Sequence, residues 1–159
     1  MSADQEVRCD ALARRIAELA PNGAWAVPGM ACRDPVPVVV GGPKRPTTVT
    51  ILWRLADQEE QENVWCTYGR GTQGLFRTTI DRQEPRLLRA LAAGPDWRDS
   101  ATLNALLGAR GEVHRDGCRW TASLGTLPWS VDYWRAGAIL AAKVAAMEAA
   151  NSRDGERNG

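Results

Sequence analysis

Residues 65–80 read WCTYGRGTQGLFRTTI, and Gly69, Gly71 and Gly74 within them spell G-x-G-x-x-G. Two incompatible structures use that spacing. Where the last glycine opens a helix, the helix amides hold a pyrophosphate. Where a strand follows, the glycines close a hairpin, using their freedom at positive φ. Here LFRTTI follows, and Phe76, Thr78, Thr79 and Ile80 favour a strand. The protein-kinase glycine loop also joins two strands, but the sequence has no V-A-I-K lysine, no H-R-D and no D-F-G. The stretch therefore reads as a β-hairpin and not as a phosphate cradle.

The neighbouring segments extend that hairpin into a sheet. In TTVTILWRL (47–55), Val49, Ile51, Trp53 and Leu55 alternate with Thr48, Thr50 and Arg54, the period of a half-buried strand. An acidic connection, DQEEQEN, leads to a strand around Val64–Tyr68, and a third runs through Leu75–Ile80. Short connections make the three an antiparallel meander. Upstream, residues 21–46 hold Pro28, Pro35, Pro37, Pro43 and Pro46. Ala24–Val27 and Val36–Val40 are short strand candidates there, confined by proline to edges.

Helices flank these strands. Cys9, Leu12, Ile16 and Leu19 form one apolar stripe in residues 4–20, and Pro21-Asn22-Gly23 stops it. Glu84–Ala93 has Pro85 in its first turn and ends at Gly94-Pro95. Asp99 or Ser100 caps a helix bearing Leu103, Leu106 and Leu107. Glu112–Leu124 reads as a hairpin about Asp116-Gly117, and Ser130 as the cap of a long helix to about Ala150. The predicted fold is α+β: one domain over residues 1–150, its mostly antiparallel sheet packed by N-terminal, middle and C-terminal helices. Residues 151–159, NSRDGERNG, read as a disordered polar tail.

At 159 residues and net charge +1, the chain fits one domain with no global pull toward nucleic acid or membrane. The start, MSADQEVRCD, is no secretory signal, and no apolar run reaches the ~18 residues of a membrane span, so a cytoplasmic location is expected. Cys9, Cys32, Cys66 and Cys118 are scattered, without zinc-ligand spacing, so neither a metal site nor disulfides are expected. No cofactor is expected either.

The hairpin carries a local charge pattern of its own. Residues 65–89 hold five arginines against Asp81 and Glu84, a net of +3, interleaved with aromatic rings. Trp65, Tyr68, Arg70, Phe76, Arg77 and Arg82 are therefore the candidate partner-binding residues. Guanidinium with flat rings suits single-stranded nucleic acid. The competing reading places Trp65 and Phe76 in the core and pairs the arginines with Glu59, Glu60 and Glu62.

Other chemistries are thinly supplied. His114 is the single histidine, so acid–base or nucleophilic work reduces to a Cys/His pair with Cys66 or Cys118. No G-x-S-x-G elbow occurs. Residues 84–124 have the part order of a winged helix, but SATLNALLG carries no arginine for base reading. Trp97, Trp129 and Trp134 sit at element edges, where tryptophan either anchors packing or faces a partner. The alanine-rich last helix is long enough to self-associate. These readings converge on a small non-catalytic binding protein that docks on a protein partner as an accessory or inhibitory factor. The alternatives are nucleic-acid binding through the hairpin or the winged-helix-like segment, and an enzyme with a Cys/His site.

Overall fold

The computed structural model describes residues 2–56, 64–71, 74–80, 84–125 and 128–158. Along the chain the order is α1 (Ala3–Leu19), β1 (Ala31–Arg33), β2 (Val38–Val40), β3 (Thr47–Leu55), β4 (Trp65–Gly71) and β5 (Gly74–Ile80). Then follow α2 (Pro85–Ala93), α3 (Ser100–Leu107), β6 (Gly111–Asp116), β7 (Arg119–Leu124), β8 (Ser130–Asp132) and α4 (Arg135–Asn158). The class is α+β with antiparallel sheets, as the residue patterns imply.

The alternation in TTVTILWRL makes β3 the centre of a five-stranded sheet. Val49, Ile51, Trp53 and Leu55 are buried, while Leu52 and Arg54 on the other face are half-buried. β4 pairs with β3 from Thr50↔Arg70 to Leu55↔Trp65, and β5 with β4 from Trp65↔Ile80 to Gly71↔Gly74. LFRTTI is thus extended, and no helix end follows Gly74. Gly69 and Gly71 lie in β4, Gly74 opens β5, and Gly71 pairs with Gly74.

The proline-rich passage adds two three-residue strands to β3, with registers Cys32↔Trp53 and Val39↔Thr48. Val36–Val40 shrinks to Val38–Val40, since Pro37 has no N–H to give the ladder. Ala24–Val27 is not a strand. Asn22 at φ 62° and Gly23 at φ 75° coil the chain, and tight turns close from Ala24 N to Pro21 O and from Ala26 N to Gly23 O.

Ser2 caps α1 in a reciprocal box with Gln5, and Cys9, Ala13, Ile16 and Ala17 are its buried face. α1 packs on both α2 and α4; α2 covers β1 and β3, and α4 covers the second sheet. One core therefore serves both sheets, with Ile16, Met30, Trp53, Leu87, Ile139 and Leu140 fully enclosed. Each such aliphatic side chain contributes roughly 1.5–3 kcal/mol by leaving water. The α1–α2 approach is close enough to need glycine: a Cβ on Gly94, at φ 90°, would lie 2.0 Å from the Ala13 carbonyl oxygen.

The second sheet orders β6-β7-β8. Asp116 stands opposite Arg119, so the two-residue turn is Gly117-Cys118, one place beyond the expected Asp116-Gly117. Gly117 has φ 62°, suiting the first position of a primed turn. Ser130 is not a helix cap; it opens β8, which pairs with β7 as Trp120↔Asp132 and Ala122↔Ser130. Asp132 holds the chain ahead of α4, its Oδ1 accepting from Trp134 N at 3.0 Å. α4 then runs to Asn158, through the stretch read from sequence as a disordered tail.

Candidate protein-docking surface

The residues nominated from the hairpin stand in different environments where they are described. Trp65 is 4% exposed, lies opposite Leu55, and tilts against Trp25 with centroids 6.5 Å apart. That corrects its assignment to the partner surface: it is core. Tyr68 and Arg77 do pair across the strands, with the guanidinium 5.5 Å from the ring centroid. Arg77 also donates from Nη2 to Cys66 Sγ at 3.6 Å. In the ladder Arg70 stands opposite Thr50 and Leu75, and Phe76 opposite Gly69. Arg82 lies outside the described residues.

Much of the nearby positive charge is spent inside the fold. Arg54 makes a two-pronged contact with Asp99, at 3.0 and 2.9 Å, and also donates to Gly29 O at 2.6 Å. Asp99 further accepts from Thr102 N and Oγ1, and Thr102 Oγ1 accepts from Ala31 N, tying α3 to β1. Burial pushes the Asp99 carboxyl up, but the hydrogen bonds and charge of Arg54 and those of Thr102 outweigh it. Asp99 therefore stays below the usual carboxylate range. Arg89 forks onto the buried Asp34 at 2.8 and 2.6 Å, and Arg86 meets Glu84 at 3.2 Å. Pairing of this kind weakens the field that a polyanion would follow.

The opposite situation holds on the second sheet. Its inner face, with Ala122 fully buried, lies on α4. His114, Thr121 and Val131 form a cross-strand row on its outer face. Trp129, Val131 and Tyr133 are 48%, 49% and 61% exposed. The His114 ring lies 5.5 Å from that of Trp129, with Glu112 Oε2 3.8 Å from His114 Nε2. Arg119 sits 5.4 Å over Tyr133. The patch borders a groove of about 500 Å3 between Asp4, Gln5 and Arg8 of α1 and Arg119, Val131 and Tyr133. Arg8 Nε binds Asp132 Oδ2 at 2.6 Å on the groove wall.

The three edge tryptophans divide. Trp97 is buried, tilts against Trp134 with centroids 5.3 Å apart, and donates to Asp10 Oδ1 at 2.8 Å. Trp134 is half-buried, and Trp129 alone of the three is exposed. Sequence reading overlooked Val131, Tyr133 and Arg119. The signal was present in PWSVDYW: Trp129, Val131 and Tyr133 recur with period two, the mark of one strand face, where a helix start was read.

The Cys/His components are spread over both sheets. Cys66 is buried on β4 of the larger sheet, and Cys118 is exposed in the hairpin turn below His114. Burial, then the charges of Asp132 and Asp10, push the Cys9 thiol up to about 11, and burial lifts Cys32 as well, so both stay protonated at neutral pH. Among the described residues no group of three or more His, Cys, Asp or Glu is placed to hold a metal ion. Nor is any helix among them long and apolar enough to cross a membrane. The winged-helix order is met in sequence but not in packing: α2 lies on α1, β1 and β3, whereas α3 lies on α4 and β6. Comparison with models of known families, with curated proteins and with solved structures finds no match.

Proposed function

We propose that this chain works by binding, docking as an accessory or inhibitory factor on a protein partner through the outer face of β6–β8. The supporting observation is the exposed series Trp129, Val131 and Tyr133 beside a groove of side-chain size. Leaving three large apolar side chains in water side by side is costly unless another surface covers them. Aromatic rings with an adjacent arginine, here Tyr133 under Arg119, are the residue types that dominate binding energy at protein interfaces. The Tyr68–Arg77 pair supplies a second, smaller contact.

Nucleic acid is the less supported partner. Arg33, Arg54, Arg86, Arg89 and Arg98 all face carboxylates within 4.0 Å, which weakens what these five would offer a phosphate backbone.

The test is capture by the immobilised chain, using the wild type, Trp129→Ala and Tyr133→Ala, each confirmed folded by circular dichroism. A protein retained by the wild type at roughly 0.5 M salt, where the Debye length is a few Å, and lost from both variants supports the reading. Retention by both variants overturns it. So does a captured species that nuclease removes and moderate salt releases.

A further inference from the structure

The outer strands of the larger sheet end in unlike edges. β1 is closed off: Cys32 bridges to Pro95, and Asp96 N donates to Ala31 O at 2.8 Å. β2 is three residues long and follows Pro37, which has no N–H to offer. Cover, short length and proline are the usual means by which a strand edge is kept from pairing with another chain.

β5 has none of these protections. It spans seven residues, Gly74–Ile80, without proline or lysine, and pairs with β4 along its whole length. Among the described residues no strand lies on its other side. The α2 layer lies over β1 and β3 instead, and Arg77, Thr78 and Thr79 are exposed. A segment that favours β-structure, carries little charge and lacks proline is the kind that recruits a further strand.

Residue order says which strand fits. Read about Thr78, the run Phe76-Arg77-Thr78-Thr79-Ile80 is apolar, polar, polar, polar, apolar, the same in both directions. An antiparallel copy centred there sets Thr78 against its own equivalent, Arg77 against Thr79 and Phe76 against Ile80. Residues of like character meet at every position, and the one charge never opposes itself. Centring one residue earlier would oppose two Arg77 side chains, and centring one later would set Thr78 against Ile80.

We propose that this chain forms a homodimer by twofold antiparallel pairing of β5 centred on Thr78, joining two five-stranded sheets into one continuous sheet. The contact is isologous, as a closed twofold dimer requires, and it satisfies backbone groups along the open edge. The edge belongs to the other sheet from the docking face, so the two interactions are independent.

The test is the mass of the chain by light scattering on a size-exclusion column, from micromolar to millimolar loading. Wild type is expected at twice the chain mass. Thr78→Lys, which opposes two ammonium groups at the twofold, is expected at the single mass. Thr78 is exposed, so this variant keeps its fold, as circular dichroism would verify. Crosslinking checks the register. Opposite Cα atoms on antiparallel strands lie about 4.5–5.5 Å apart, inside the disulfide span of about 4.4–6.8 Å. In a Cys118→Ser background, which removes the exposed thiol, Thr78→Cys should form a covalent dimer with oxidised glutathione. Val39→Cys, exposed on β2, should not. A chain monomeric at millimolar loading, a dimer that survives Thr78→Lys, or crosslinking no greater through Thr78→Cys than through Val39→Cys would overturn the proposal. Tyr133→Ala should leave the dimer intact; its dissociation in that variant would equally overturn it, by moving the contact to the docking face.

Discussion

The two sheets of this protein spend their side chains differently. On β3 Val49, Ile51, Trp53 and Leu55 are enclosed, Val39 and Val40 of the adjoining β2 are exposed, and the charged residues are tied down, Arg54 to Asp99 and Arg89 to Asp34. On β6–β8 one face is enclosed by α4, and the other carries Trp129, Val131 and Tyr133 into water. On the proposed function, the larger sheet is the source of stability and the smaller one bears recognition. Interior arginine pairs position elements, and the solvent-facing aromatics carry the proposed contact.

Substitutions rank the two regions. Trp53→Ala, at 1% exposure in the middle of β3, should destabilise by about 4 kcal/mol, read from the urea midpoint. Gly94→Ala should cost about 3 kcal/mol, because its Cβ would strike the Ala13 carbonyl at a backbone angle that side chains avoid. A Gly94→Ala melt near wild type would mean that α1 and α2 are not so closely joined. Asp99→Ala should cost about 2 kcal/mol by removing the α3 cap and leaving Arg54 unopposed.

Titration sharpens the contrast within the larger sheet. Asp99 has a folded pKa below its unfolded one, so its stabilisation is present above the ordinary carboxylate range and is lost as pH falls through the folded value. Asp96 is raised, so the fold holds its proton more tightly. Its contribution is full below the unfolded value and is lost as pH rises through the folded one. Urea unfolding across acid pH should therefore show a shallower acid loss in Asp99→Asn and a shallower decline on the rising side in Asp96→Asn. Parallel curves for wild type and both variants would refute the assignment. The smallest expected stability effect is Tyr133→Ala, under about 0.5 kcal/mol, although it should remove most partner affinity.

What was legible in the sequence followed periodicity. TTVTILWRL alternates except at Leu52, LFRTTI is rich in β-favouring residues, and the β3–β4–β5 meander followed from them. Three features were hidden for separate reasons. Asn22 adopts a left-handed conformation that the residue type permits but does not require, so the coil at Ala24–Val27 could not be told from a strand. Gly117-Cys118 and Asp116-Gly117 are both reasonable two-residue turns, and the choice depends on Trp120 and Ala122 facing α4. Ser130 is a good cap in isolation, but β7 offers a free edge that recruits residues 130–132 first. That last preference also hid the exposed row of the second sheet, since a strand and a helix project Trp129, Val131 and Tyr133 differently.

The distribution of indoles gives this protein an optical property. Of its seven tryptophans, Trp25, Trp53, Trp65 and Trp97 are buried, Trp120 and Trp134 are half-covered, and Trp129 is 48% exposed. Its intrinsic emission should contain a long-wavelength, iodide-quenchable component that belongs chiefly to Trp129. Shielding of that component on mixing with another macromolecule would report occupancy of the outer sheet face without any attached dye.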